Sequence, residues 1–248
     1  DRYDEASPPL LAISKQLQRS ITRQLQDQRR GGKQTGLYMG RRLDIHSLPR
    51  NDGRVFSKMS LPNETPELAL ALLLDESGSM GCGSRATYAR ASAIILYDFC
   101  QSLGIPVMVY GHSAYSGVEL YSYAEFDSID KLDRYRLMDI SARGNNRDGT
   151  ALRFVAEQLA KRPEDIRLLI LVSDGQPADS GYYGTAAEED LRGIKTEYRR
   201  KGICFVAAAI GDDKDSIERI YGDAYMDISD LHTLPITLTN VVKRFIRT

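Results

Sequence analysis

The chain of 248 residues has no tryptophan and only three histidines and three cysteines. Cys82, Cys100 and Cys204 are odd in number and far apart, which excludes a disulfide framework and a Cys-x-x-Cys metal site and fits a reducing, cytoplasmic compartment. No segment approaches the roughly 18 consecutive apolar residues of a membrane span, and no charged-then-apolar leader opens the chain. Charge of one sign is lacking too. With 33 Lys and Arg against 34 Asp and Glu, the net charge of -1 implies no pull toward nucleic acid or a membrane surface. Only residues 1–60 are locally basic, with about 12 Lys and Arg against about 6 Asp and Glu, as a solvated helix face would be. Neither Gly-x4-Gly-Lys-Ser/Thr nor Gly-x-Ser-x-Gly occurs, so P-loop nucleotide chemistry and serine hydrolysis have no foothold. The chain opens at Asp1 rather than methionine, which leaves room for domains upstream.

What is present is a strand that ends in oxygen ligands. The apolar run Leu68 to Leu74 fits a strand buried on both faces, the kind found in parallel sheets covered by helices. Asp75-Glu76-Ser77-Gly78-Ser79-Met80 follows it, at the sheet edge where open α/β folds bind ligands. Asp75, Ser77 and Ser79 in one loop can turn a carboxylate and two hydroxyls toward a common point, a donor set suited to hard cations. The same residue types also serve as ordinary turn and cap residues. A second apolar run, Ile166 to Val172, ends in Ser173-Asp174-Gly175 and so brings Asp174 to the same edge. Between the two lies the polar loop Asn145 to Thr150, which opens a helix with the Thr150 hydroxyl near its start.

Asp75, Ser77, Ser79, Thr150 and Asp174, in these contexts, resemble the metal-ion-dependent adhesion site of von Willebrand factor A domains. The resemblance covers about Pro66 to Thr248. It implies one divalent cation, Mg²⁺ foremost with Mn²⁺ or Ca²⁺ as alternatives, and one coordination position left for a carboxylate from a protein partner. A narrower resemblance rests on Asn146-Arg147-Asp148-Gly149-Thr150-Ala151-Leu152-Arg153 and Ser173-Asp174-Gly175-Gln176-Pro177. These segments are similar to the A domains of NorD-type nitric oxide reductase activation proteins and cobaltochelatase CobT subunits. That implies a non-catalytic adaptor working with a MoxR-type AAA+ ATPase or its client in maturation or cofactor insertion. The alternative is a subunit acting in cobalt insertion into a tetrapyrrole, and a third reading is a metal-dependent phosphatase built on Asp75. Asp148, His112, Tyr182 and Tyr183 are expected on the rim of the site, available to a partner.

The pattern along the chain predicts a doubly wound, mainly parallel α/β sheet. An N-terminal amphipathic helix (about 8–30) and an extended segment occupy residues 1–65, and the domain itself 66–248. Strands are expected at 68–74, 105–110, 118–126, 166–172, 203–210 and 224–228. The short connection between the second and third makes them an antiparallel hairpin at one edge. Helices are expected at 85–103, 129–138, 149–161, 185–201, 213–221 and 231–246, with a further strand at 55–61.

Overall fold

The computed structural model describes residues 2–29, 32–37, 42–50, 54–60, 66–128, 130, 132–175, 177–211 and 214–246. The chain forms two compact units, one made of Asp1–Ser20 with Glu67–Thr248 and the other of Ile21–Pro66. In chain order the elements begin with α1 (Arg2–Arg29), β1 (Gly32–Leu37), β2 (Arg42–Leu43) and β3 (Phe56–Ser60). The larger unit continues with β4 (Leu68–Asp75), α2 (Arg85–Leu103), β5 (Val107–Ala114), β6 (Val118–Ala124), α3 (Asp133–Arg136), α4 (Asp148–Ala160) and β7 (Ile166–Ser173). It closes with β8 (Ala178–Asp179), β9 (Tyr182–Tyr183), α5 (Gly184–Arg200), β10 (Ile203–Ala209), α6 (Lys214–Tyr221), β11 (Tyr225–Asp227) and α7 (Leu234–Ile246).

The main sheet has the order β11-β10-β7-β4-β5-β6, parallel throughout except for the antiparallel pair β5–β6 at its edge. The expected mixed sheet with one hairpin edge is therefore present. β4 lies between β7 and β5, and all eight of its residues are buried. Ala69, Ala71 and Leu73 point to a core shared with Leu152 and Val155 of α4 and Leu191 of α5, while α2 packs on β4 and β5. Burying each leucine of such a strand contributes about 1.5–3 kcal/mol. The consequence for the site is rigidity at one place: β4 cannot shift without disturbing both neighbours, so Asp75 at its end is held firmly.

Several boundaries differ from the sequence pattern for identifiable reasons. α1 begins at Arg2 and runs through Pro8 and Pro9, which would ordinarily mark a helix start. Tyr3 is buried and meets Tyr135 edge to face at 5.5 Å, a tertiary contact that favours the extra turns. Ser14, also buried, donates to Asp98 of α2 at 2.6 Å, so the early α1 stripe packs within its own unit. The helix expected at 129–138 is only the short α3 and a following 3-10 turn.

In the smaller unit, β1 and β2 flank β3 in an antiparallel sheet, and a 3-10 helix, Ile45–Arg50, carries Pro49 inside it. β1 and the small β8–β9 hairpin have no apolar alternation in sequence and are found only in the structure.

Candidate metal centre

β4 delivers Asp75 to the carboxyl edge of the sheet, where it is only 1% exposed. Its Oδ1 accepts the Ser77 backbone N–H at 2.8 Å, an Asx-type turn that swings the chain out of the strand. A 3-10 turn, Gly78–Gly81, then folds Ser79 back, so that its Oγ lies 3.0 Å from the Ser77 Oγ. The Ser79 hydroxyl donates to Asp174 Oδ1 at 3.0 Å. Asp174, just past the end of β7, accepts at its other oxygen from the Arg85 guanidinium at 2.8 Å. Asp75, Ser77, Ser79 and Asp174 are thus brought together by hydrogen bonds between two neighbouring strand ends.

The loop before α4 and the last residue of β7 add two groups that were not expected among the ligands. Asn146 Nδ2 and the Ser173 hydroxyl both donate to Asp75 Oδ2, at 2.8 and 2.9 Å. Gly78 N–H donates to the Gly144 carbonyl at 2.6 Å, and Arg143 N–H to the Glu76 carbonyl at 2.7 Å. Glu76 itself is buried, taking hydrogen bonds from Tyr123 at 2.6 Å and Arg143 Nε at 2.7 Å. A Cβ at residue 111 would collide with the Glu76 carboxylate, so Gly111 is required by the space this side chain fills. Only polarity and position in the loops could have pointed to Asn146, Ser173 and Glu76. Their roles depend on which strands are neighbours.

Thr150 stands exposed on the first turn of α4, and among the described residues it takes no part in the hydrogen-bond network around Asp75. Its helix is nevertheless tied to that network through Asn146. His112 and Asp148, expected on the rim, lie instead beneath it, 0% and 2% exposed. His112 is the β5 partner of Asp75 in the sheet register, and its Nε2 lies 3.0 Å from Asp148 Oδ1, close enough for charge pairing but not aligned as a hydrogen bond. Tyr182 is half-buried, its hydroxyl donating to Asp190 at 2.8 Å, whereas Tyr183 is 69% exposed and remains on the rim.

The electrostatics favour a cation. Burial, then the neighbouring Asp148, push the Asp75 carboxyl up to about 6, with His112 opposing and Asp174 adding to the rise. Burial works against a charged His112, but Asp148 and then Asp75 outweigh it and raise the imidazole above its ordinary value. Carboxylates crowded in this way are relieved by a positive ion. The donor set fits one of the hard kind, with hydroxyl and carboxylate oxygens from Ser77, Ser79, Asp174 and Asp75. Among the described residues, no group of three or more His, Cys, Asp and Glu side chains is placed to hold a metal ion by itself, so hydroxyl oxygens belong to the candidate donor set. Nor is any helix of the described residues long and apolar enough to cross a membrane.

The family model for the von Willebrand factor type A domain matches residues 69–228. The uncharacterized protein YojO of Bacillus subtilis is 22% identical over 262 residues, covering 98% of this chain and 40% of its own. Protein NorD of Brucella melitensis is 25% identical over 177 residues, 70% of this chain and 25% of its own. The chain therefore spans less than half the length of these relatives. Among solved structures, the von Willebrand factor domain of the type V pili tip protein Mfa5 from Porphyromonas gingivalis superposes with TM-score 0.56 at 11% identity, covering 74% of this chain and 97% of that one. Manganese-loaded TRAP protein of Plasmodium vivax superposes with TM-score 0.53 at 17% identity, covering 73% and 74%. These two show the same fold. With the sheet order and the match over 69–228, this chain belongs to the von Willebrand factor type A family.

Proposed function

We propose that the chain is a cation-dependent protein-binding module in which Asp75, Ser77, Ser79, Thr150 and Asp174 hold one divalent ion, Mg²⁺ in the cell, and a partner's acidic side chain completes its coordination. The observation that carries this reading is the meeting of Ser77, Ser79 and Asp174 oxygens above a buried, crowded Asp75. When bound, the ion supplies a hard electrophile for a carboxylate. The protein's part is to fix the oxygens, which the bonds from Ser77 N–H, Asn146 and Ser173 to Asp75 accomplish. The manganese in the structure of the TRAP protein is consistent with a divalent ion on this fold.

The partner in this proposal is a MoxR-type AAA+ ATPase or its client, in the cytoplasm, and the role is maturation of a target enzyme. Similarity to NorD over 70% of the chain supports this ahead of a cobaltochelatase role. A phosphatase built on Asp75 fits poorly, because a nucleophile needs a free, approachable oxygen. Here both oxygens accept hydrogen bonds and the residue is 1% exposed. The test is capture of the purified ATPase by the immobilised chain, with Mg²⁺ and with excess chelator. Asp75→Ala should lose both Mg²⁺ binding and capture while remaining folded by circular dichroism. Undiminished capture in chelator sinks the mechanism.

A further inference from the structure

The two most exposed aromatic side chains among the described residues, Tyr183 at 69% and Tyr115 at 62%, stand on either side of Asp75. The sheet order puts them there. β4 lies between β7 and β5; Tyr115 follows β5, and Tyr183 belongs to the β8–β9 hairpin that follows β7. His112 is the β5 partner of Asp75, so Tyr115 lies three residues, about 10 Å of extended chain, further out from the carboxyl edge of the sheet. Both tyrosines are anchored to the same two residues. Ala114 and Asn145 exchange backbone hydrogen bonds at 3.0 and 2.8 Å, the Ala178 N–H donates to the Asn146 carbonyl at 3.1 Å, and Ala178 pairs with Tyr183 across the hairpin. Asn146 also holds Asp75 through its side chain. The Tyr115 ring rests on the loop backbone, since a Cβ at residue 144 would lie 3.0 Å from it. Large exposed rings on a backbone fixed in this way are preorganised for contact.

The charged side chains of this layer answer one another, with Arg147 3.5 Å from Asp179 and Arg143 bound to Glu76. The tyrosine rings are apolar except at the hydroxyl, the kind of side chain that anchors protein interfaces. Spacing then selects the sequence that fits. From Ala114 through Asn145–Asn146 and Ala178 to Tyr183 there are three strand pairings, about 14 Å across. In an extended chain, side chains two residues apart share a face, and those two before and two after a given residue are about 13 Å apart. We propose that Tyr115 and Tyr183 are the two walls of a binding surface for an extended segment of the partner. The segment's Asp or Glu reaches the ion, and apolar residues two positions before and two positions after it pack one on each ring. The surface depends on the carboxylate-capture reading and adds to it the sequence around the captured residue.

The test titrates the Mn²⁺-loaded chain with three acetylated, amidated peptides and follows water-proton relaxation, which changes as a carboxylate displaces water from the ion. Leu-Gly-Asp-Gly-Leu should bind about tenfold more tightly than Gly-Gly-Asp-Gly-Gly, a gain of about 1.4 kcal/mol. It should also bind more tightly than Gly-Leu-Asp-Leu-Gly, whose leucines point away from the rings. Tyr115→Ala and Tyr183→Ala should each weaken the first peptide about threefold, multiplying in the double variant. Tyr115→Phe and Tyr183→Phe should keep its affinity, and Mn²⁺ affinity and thermal unfolding should be unchanged in all of them. Equal affinity of the unaltered chain for the first two peptides, or a preference retained in the double alanine variant, overturns the tyrosine walls and leaves the capture reading standing. Tighter binding of Gly-Leu-Asp-Leu-Gly overturns the spacing. An unaltered Mn²⁺-loaded chain that binds none of the three overturns the capture reading and the tyrosine walls together.

Discussion

The buried Glu76 carboxylate accepts a hydrogen bond from Arg143 Nε at 2.7 Å, joining the loop after β4 to the loop before α4 by a charge-assisted contact. Arg143 in turn lies over the Tyr121 ring at 4.1 Å, and the pairing with Glu76 holds its guanidinium well above its ordinary pKa. Two of the three segments that make the site are thereby clamped at a residue that ligates nothing itself.

Glu76→Gln should expose that clamp. The replacement keeps the shape but sets an amide against the Arg143 and Ser141 donors. Charge-assisted hydrogen bonds contribute about 1.5–3 kcal/mol, so a loss of about 2–3 kcal/mol is expected in urea unfolding, with a severalfold weaker Mn²⁺ affinity. An unchanged unfolding midpoint would show that the clamp adds nothing.

Cation binding should stabilise the fold by mass action. At a hundred times its Kd, an ion that binds only the folded chain adds about 2.7 kcal/mol, which is about 5–10 °C in Tm for a domain of this size. Calorimetric scans with and without Mg²⁺ or Mn²⁺ measure this shift, and Asp174→Ala should abolish it. A variant still stabilised by the ion would remove Asp174 from the ligand set.

The affinity should also depend on pH. Metal-free Asp75 is raised to about 6, above its unfolded value of 3.8, first by burial and then by Asp148. Between those values the folded state binds more protons than the unfolded state. The contribution of Asp75 to metal-free stability is therefore greatest at low pH and is lost as pH rises through about 6. An ion competes with the same proton, so its affinity weakens below about pH 6 by up to tenfold per unit. Mn²⁺ titrations from pH 5 to 7.5 check this, and proton release on binding, measured in buffers of different ionisation enthalpy, should vanish in Asp75→Ala.

Thr150 separates ligation from packing. It is exposed and outside the Asp75 network, so Thr150→Ala should change stability by no more than about 0.5 kcal/mol. If its hydroxyl serves the ion, Mn²⁺ affinity falls at least severalfold in the same variant. Equal affinity would reduce the ligand set to the four residues already in contact.

The sheet was legible in the sequence because buried parallel strands leave continuous apolar runs, as at Leu68–Asp75 and Ile166–Ser173. The carboxylates and hydroxyls at their ends were legible for the same reason, since a strand end fixes where the next residues emerge. The short strands β1, β8 and β9 were not, because they pair without a hydrophobic pattern. Nor was the start of α1, where burial of Tyr3 overrides two prolines.

By itself the sequence determined the fold class, the strand-end position of Asp75 and Asp174, and the type of ion their oxygens suit. These follow from local periodicity and donor chemistry, which are properties of contiguous residues. Only the tertiary structure decided that His112 and Asp148 lie beneath the site, that Asn146 and Ser173 hold Asp75, and that Arg85 shares Asp174. Those relationships join residues up to 98 positions apart, and they arise from strand order and register, which bring distant loops to one edge of the sheet.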